Sequence, residues 1–418
     1  MKLNGIFKDN MVFQRDREIR VFGTCDEVRE VSVCAKIFDG SRVIAESGKC
    51  EFFDGGFFVC TMPELPAGGP YTLKVSSKSD EITLNNVYVG EVWLAGGQSN
   101  MEYPLGRSDG ADKAVPSCPQ TRIHFYQVPV FDRVDEELLE AEAETAWNII
   151  NADTCYNMTG IGYYFMLKVQ DYLAAQREEC ADLHFGVIGC YLGGTSVSSW
   201  QSVASLERTP EGRRYLDLFR AECDKWNSID EYMAAEAAYL DECEVFESKV
   251  NEVLKKYPYM TYFKTEEITG PGAWPPPVGP VSMRRPGALF EAMLMRIVPF
   301  ALRGVIFYQG EEDVNLHSAD YAVVFRTMIE QWREVFRDEE LPFLFVKLPP
   351  FPPSDSPDIH LWEEVQRQQQ MVADTVPGTY IVDIDDCGEI GNVHPSNKKT
   401  PGDRLADLAL KVIYGLDC

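Results

Sequence analysis

The sequence predicts an α/β fold: a parallel, doubly wound sheet, preceded by a β-sandwich and carrying a helical insertion. Three observations carry this. From Val89 onward, short apolar runs alternate with longer amphipathic stretches, the rhythm of a parallel sheet covered on both faces. Before that point only short β-prone runs occur, separated by Gly, Asp and Pro turn signals about every ten residues. Residues 204–258 are charged and helical in pattern, and they break the alternation.

The first 88 residues supply MVFQRDREIRVFGTC, EVSVCAKIF, FFVCTMPELPAGGPYTLKVSS and EITLNNVYVG, with no helical period among them. This is the pattern of a sandwich domain over 1–88. The second domain, 89–418, has strands expected at 92–95, 123–128, 185–189, 304–309, 343–348 and 380–384. Helices are expected at 160–175, 288–302, 319–336, 360–375 and 402–413, where apolar residues recur at helical spacing. The insertion spans about 204–280 and ends in the rigid loop GPGAWPPPVGP.

Composition narrows the function. The chain has 418 residues, 45% hydrophobic and 25% charged, the balance of a globular protein. A net charge of −27 repels nucleic acid and anionic membranes, so both are dropped as partners. The twelve cysteines sit at irregular spacings without a CxxC pair, and no metal site is expected. No run is long enough to span a membrane, and the N-terminus lacks a signal-peptide core. A cytoplasmic location with reduced thiols is the expectation, unless a leader has been removed. Oligomeric state is left open.

Ligands of an open parallel sheet bind beyond the C-terminal ends of its strands. Four strand ends stand out there. VWLA runs into GGQSN with Ser99; FGVIG into a turn with Gly193 and Gly194; GVIFY into Gln309, Gly310, Glu311, Glu312 and Asp313; YIVDI into a loop with His394. Taken singly, each has an ordinary structural explanation as a cap, a turn, a solvated loop or a packed histidine. Together they are a nucleophile, a base and oxyanion donors, the parts acyl transfer needs. His124 and His184 lie in or beside a strand and read as packing residues. His317, after the Gln309–Asp313 run, is a weaker substrate contact.

GGQSNM, GVIGCYLGGTSVSSW, GVIFYQGEED and NVHPSNKKTPGDRLA resemble, in order and spacing, the signature blocks of the sialate O-acetylesterases of the SGNH (GDSL-like) hydrolase superfamily. MVFQR and VFGT resemble the start of that family's β-domain. The resemblance implies a three-layer α/β/α catalytic domain and hydrolysis of an O-acetyl ester on a sugar. Ser99 would attack, His394 would act as base, and Ser99 N–H, Gly194 N–H and the Gln309 amide would hold the oxyanion. It implies no metal and no organic cofactor.

One departure matters. The family carries an aspartate just before the base, and here the run is Asn392-Val393-His394. That acid fixes the imidazole tautomer and stabilises the imidazolium. Three explanations stay open: Glu311 or Asp386 serves instead, a carbonyl of the backbone or of Asn392 accepts the Nδ1–H, or the chain binds without cleaving. A sialic acid substrate also needs a cation. Arg284, Arg285 and Arg107 are the candidates, with Asn100 as a polar contact and Trp200 and Trp274 as platforms for a sugar ring. The rivals are a non-catalytic carbohydrate-binding protein and an enzyme acting on acetylated xylan.

Overall fold

A computed structural model describes residues 1–25, 33–177 and 180–416. The first three residues of the expected run EVSVCAKIF lie outside them. The strands are β1 (Lys2–Leu3), β2 (Val12–Gln14), β3 (Ile19–Thr24), β4 (Cys34–Asp39), β5 (Arg42–Glu46), β6 (Lys49–Phe52), β7 (Phe57–Met62), β8 (Gly68–Ser76), β9 (Glu81–Gly97), β10 (Ile123–Gln127), β11 (Asn148–Ile149), β12 (Phe185–Tyr191), β13 (Gly304–Tyr308), β14 (Phe343–Val346) and β15 (Thr379–Val382).

The protein is a mixed α/β fold. Strands β10, β12, β9, β13, β14 and β15 lie side by side in that order and all parallel, with β11 antiparallel on the β10 edge. Strands β1, β3, β7 and β6 form a separate antiparallel sheet. Side-chain alternation along β9 shows what covers the parallel sheet. Trp93 points to one face and meets Phe165 of the helix Gly160–Gln176 at 5.0 Å between ring centroids. Gly96 points to the other, toward Trp332 of the helix Tyr321–Phe336, against which Phe307 also packs. Both faces are therefore dry, and this is why β12 and β13 are apolar throughout.

Two elements differ from expectation. The strand expected at 92–95 is the end of the 17-residue β9. Its first part pairs with β8 and β2, and its last part with β12 and β13. EITLNNVYVG and VWLA read as two runs, but the chain continues from one into the other without a break. Asn86 takes a positive φ of 54°, and the pairing with β8 skips from Leu84 to Val87 opposite Leu73 and Tyr71, a bulge. The helix expected at 288–302 stops at Ala292, tightens to a 3₁₀ turn over Leu294–Arg296, and ends before Pro299, which has no N–H to donate. The insertion is helical, with Pro210–Cys223, Ile229–Lys256 and Tyr262–Thr269.

Glu91 lies on β9 between its two sets of partners and is fully buried. Arg15 reaches it from the N-terminal region at 2.5 Å, Arg303 forks onto it at 2.6 and 3.1 Å, and the Tyr414 hydroxyl donates at 3.1 Å. One hydrophobic cluster runs through both parts of the chain around this knot.

Candidate active site

The C-terminal end of β9 carries Ser99. Gly97 has φ +134°, and a Cβ there would stand 2.0 Å from the Tyr308 carbonyl oxygen of the neighbouring strand. Only glycine fits, and the constraint is strand packing rather than substrate approach. Ser99 then opens a one-turn helix, Ser99–Glu102. Its hydroxyl lies 2.8 Å from His394 Nε2, as a serine donating to a neutral imidazole would. Burial first, and the nearby Lys398 second, push His394 down to about 4. The base is thus neutral at ordinary pH.

The backbone N–H groups of Ser99 and Gly194 donate to no protein acceptor among the described residues. Gly194 sits in the left-handed region at φ +65°, on the loop after β12. Two residues hold that loop. Glu102 Oε2 accepts the Gly193 N–H at 2.8 Å, and Arg284 donates Nε–H to the Gly194 carbonyl at 3.0 Å and Nη2–H to the Gly193 carbonyl at 3.3 Å. Trp274 lies against Gly194 so closely that a Cβ there would stand 2.2 Å from its ring. Glu102 stands three residues past Ser99 and so one helical turn along, the signal that could have flagged it. Removing its acceptor in Glu102→Ala should lower kcat about 10- to 100-fold with little change in KM, the cost of one orphaned buried donor. Glu102→Gln, which keeps an acceptor oxygen, should recover most of it. Steady-state kinetics check both, and equal losses in the two variants would refute the positioning role.

Beneath the serine runs a buried chain. Asn100 Nδ2 donates to Glu311 Oε1 at 2.6 Å and to the Val393 carbonyl at 2.9 Å, and its Oδ1 accepts from Lys398 Nζ at 2.6 Å. One side chain thereby ties together the serine loop, the loop after β13 and the histidine loop. Burial drives Glu311 up to about 7 and Lys398 down to about 7, each partly offset by the other's charge. Lys398 is enclosed over the Tyr103 ring at 4.4 Å.

Several expected roles are corrected. Asn100 is 1% exposed with its hydrogen-bonding groups engaged, so it braces loops rather than touching substrate. Gln309 is equally buried. Its Nε2 donates to Asp313, to the Thr195 carbonyl at 3.1 Å and to Gln98 Oε1 at 3.3 Å, so the amide faces inward and is no oxyanion donor. Glu311 serves Asn100 instead of His394. Asp386 is forked onto Arg404 at 2.6 and 2.7 Å. The Asn392 carbonyl accepts the backbone N–H of His394 at 3.0 Å, and its amide donates to Glu389. His394 Nδ1 meets no protein acceptor among the described residues. The arrangement is a serine–histidine pair.

The expected substrate contacts fare similarly. Arg107 is buried on the Met260 carbonyl and Thr265, with Tyr262 4.3 Å away. Arg285 is held by Asp132. Arg284 serves the glycine loop. Trp200 is fully buried, its Nε1–H donating to Thr195 Oγ1 at 3.1 Å. Trp274 remains, 57% exposed. His317 lies near Asp320 and Tyr215, away from the pair, and His124 and His184 pack on each other at 2.8 Å.

A serine and a neutral histidine at the rim of a parallel sheet, beside two unengaged N–H groups, define an ester hydrolase. The family model "Carbohydrate esterase, sialic acid-specific acetylesterase" matches residues 277–411. The mouse (Mus musculus) sialate O-acetylesterase is 23% identical over 428 residues, spanning 97% of this chain and 72% of that protein. The rat (Rattus norvegicus) sialate O-acetylesterase is 23% identical over 431 residues, with the same coverage. A carbohydrate acetylesterase from Xanthomonas citri shares the fold, with a TM-score of 0.69 at 24% identity over 99% of this chain and 76% of its own. The chain is thus similar to the sialate O-acetylesterases over nearly its whole length, and the family match and these relatives support a carbohydrate O-acetylesterase.

Proposed function

We propose that the chain hydrolyses O-acetyl esters of sugars through an acetyl-enzyme on Ser99. The observation that carries this is the 2.8 Å contact between Ser99 Oγ and His394 Nε2. His394 takes the serine proton as Oγ attacks the acetyl carbonyl. The Ser99 and Gly194 N–H groups hold the oxyanion. The intermediate collapses, and the sugar hydroxyl leaves with the proton from His394. Water, activated by the same imidazole, then releases acetate. With no carboxylate on Nδ1 among the described residues, the developing oxyanion is the charge that offsets the imidazolium.

The same reading takes residues 89–418 as an SGNH-like three-layer α/β/α domain and 1–88 as a β-sandwich that braces it. The parallel strand order and the shared core support it. A cytoplasmic setting belongs to this reading too. The irregular spacing of the cysteines, without a CxxC pair, suits that setting.

A fluorophosphonate probe tests the mechanism. It is expected to add to Ser99, identified by peptide mass, and to abolish acetate release in step with labelling. Full activity in the labelled protein, or an adduct elsewhere, would refute it.

A further inference from the structure

The cations around the nucleophile are already engaged. Arg284 bonds two carbonyls, and its charge faces Glu102 and Glu312. Arg285 pairs with Asp132, Arg107 is sealed under Tyr262, and Lys398 is buried on Asn100. Binding a sugar carboxylate calls for an uncompensated cation, preferably a bidentate arginine. The rim offers the opposite.

Glu312 follows β13, and its backbone N–H points at Gln98 Oε1, 3.5 Å away, one residue before the nucleophile. Its neighbours are committed: Glu311 to Asn100, and Asp313 to Ser196 Oγ at 2.8 Å and Val197 N–H at 3.1 Å. Glu312 differs. It is half-buried, yet no hydrogen bond or ion pair holds its carboxylate among the described residues. Arg284, the cation whose charge reaches it among the described residues, also carries Trp274 at 5.6 Å, and Trp274 is the exposed ring on Gly194. A carboxylate only accepts hydrogen bonds, and a sugar offers hydroxyl donors around an apolar ring face. An indole supplies a flat surface for that face.

We propose that this site takes a neutral acetylated sugar, with Glu312 accepting a sugar hydroxyl and Trp274 lying along the ring, and that it selects against sugars bearing a carboxylate. The proposal rests on Ser99 being the acetyl acceptor. It assigns Glu312 as a specificity-determining residue.

The test compares kcat/KM for acetate release from a panel of neutral acetylated mono- and oligosaccharides with that from O-acetylated sialic acid. The parent should favour its best neutral substrate at least about 100-fold. Glu312→Gln should lower that preference about tenfold, with Glu312→Asp between the two, and thermal melts should confirm that both variants fold. A parent that turns over O-acetylated sialic acid as fast as any neutral sugar would overturn the proposal. So would a preference that neither variant moves. p-Nitrophenyl acetate separates this from the underlying reading: hydrolysis that survives Ser99→Ala sinks the acetyl-enzyme, whereas its loss alongside an unmoved sugar preference sinks only the role of Glu312.

Discussion

Replacing His394 with alanine should lower kcat on an acetyl ester by a factor on the order of 10⁴ to 10⁶, the loss seen when a serine hydrolase is deprived of its base. The serine has no second base within reach: its hydroxyl contacts His394 Nε2 and no other side chain among the described residues. The pH profile follows from the same geometry. Burial holds the folded imidazole at about 4, so it stays neutral and competent well below the ordinary histidine range. As pH falls, kcat/KM should hold through pH 6.5 and decline only toward pH 4, where the base becomes protonated. An acid limb centred near 6.5 would contradict this. A companion variant, Asn392→Asp, tests the missing acid. In the parent, the Asn392 carbonyl already serves the His394 backbone and its amide donates to Glu389. An aspartate there would face the Glu389 carboxylate, so activity should stay level or drop. A rise of about tenfold or more would mean that the new carboxylate reaches Nδ1, and that a triad is one substitution away.

The largest stability effect is expected from Glu91→Gln. Glu91 is fully enclosed with Arg15 and Arg303 on its oxygens and Tyr414 donating to one of them. Replacing a buried pair with apolar residues is often harmless, but removing one partner strands the others. Here two guanidinium groups would lose their counter-charge at once. The expected cost is about 3–5 kcal/mol, measured by urea unfolding. A loss under about 1 kcal/mol would show that both arginines are solvated in place. Because β9 runs from this knot straight to Ser99, activity should become heat-sensitive in the same variant.

Much of the site could be read from the sequence because its signals are local. Apolar strands that end in Gly-Gly-Gln-Ser or in Gly-Gly advertise their rim positions, and His394 was found in the same way. What could not be read is whether a polar side chain faces outward or is already engaged. Arg107, Arg284, Arg285, Asn100 and Gln309 have the right chemistry for substrate or oxyanion contacts, and each is consumed by a partner far away in sequence. Gln309 and Thr195 are 114 residues apart, and Asn100 and Lys398 are 298 apart. Trp200 and Trp274 are identical by residue type, yet one lies in the core and the other on the surface. The fold was misjudged where a local signal was overridden by pairing. The run ending at Gly90 and the one starting at Val92 read as separate strands, but β8 and β2 on one part and β12 and β13 on the other hold both in a single strand.

The placement of Trp274 has a consequence for how such a chain can diversify. The reacting groups stand on loops fixed by the parallel sheet, whereas Tyr262 and Trp274, which border them, arrive on one contiguous stretch, 204–280. Chemistry and selection are therefore written in separate passages of the gene. A recombination event or a designed graft that exchanges that passage would alter which acetylated molecules are admitted while leaving the serine and its base where they are.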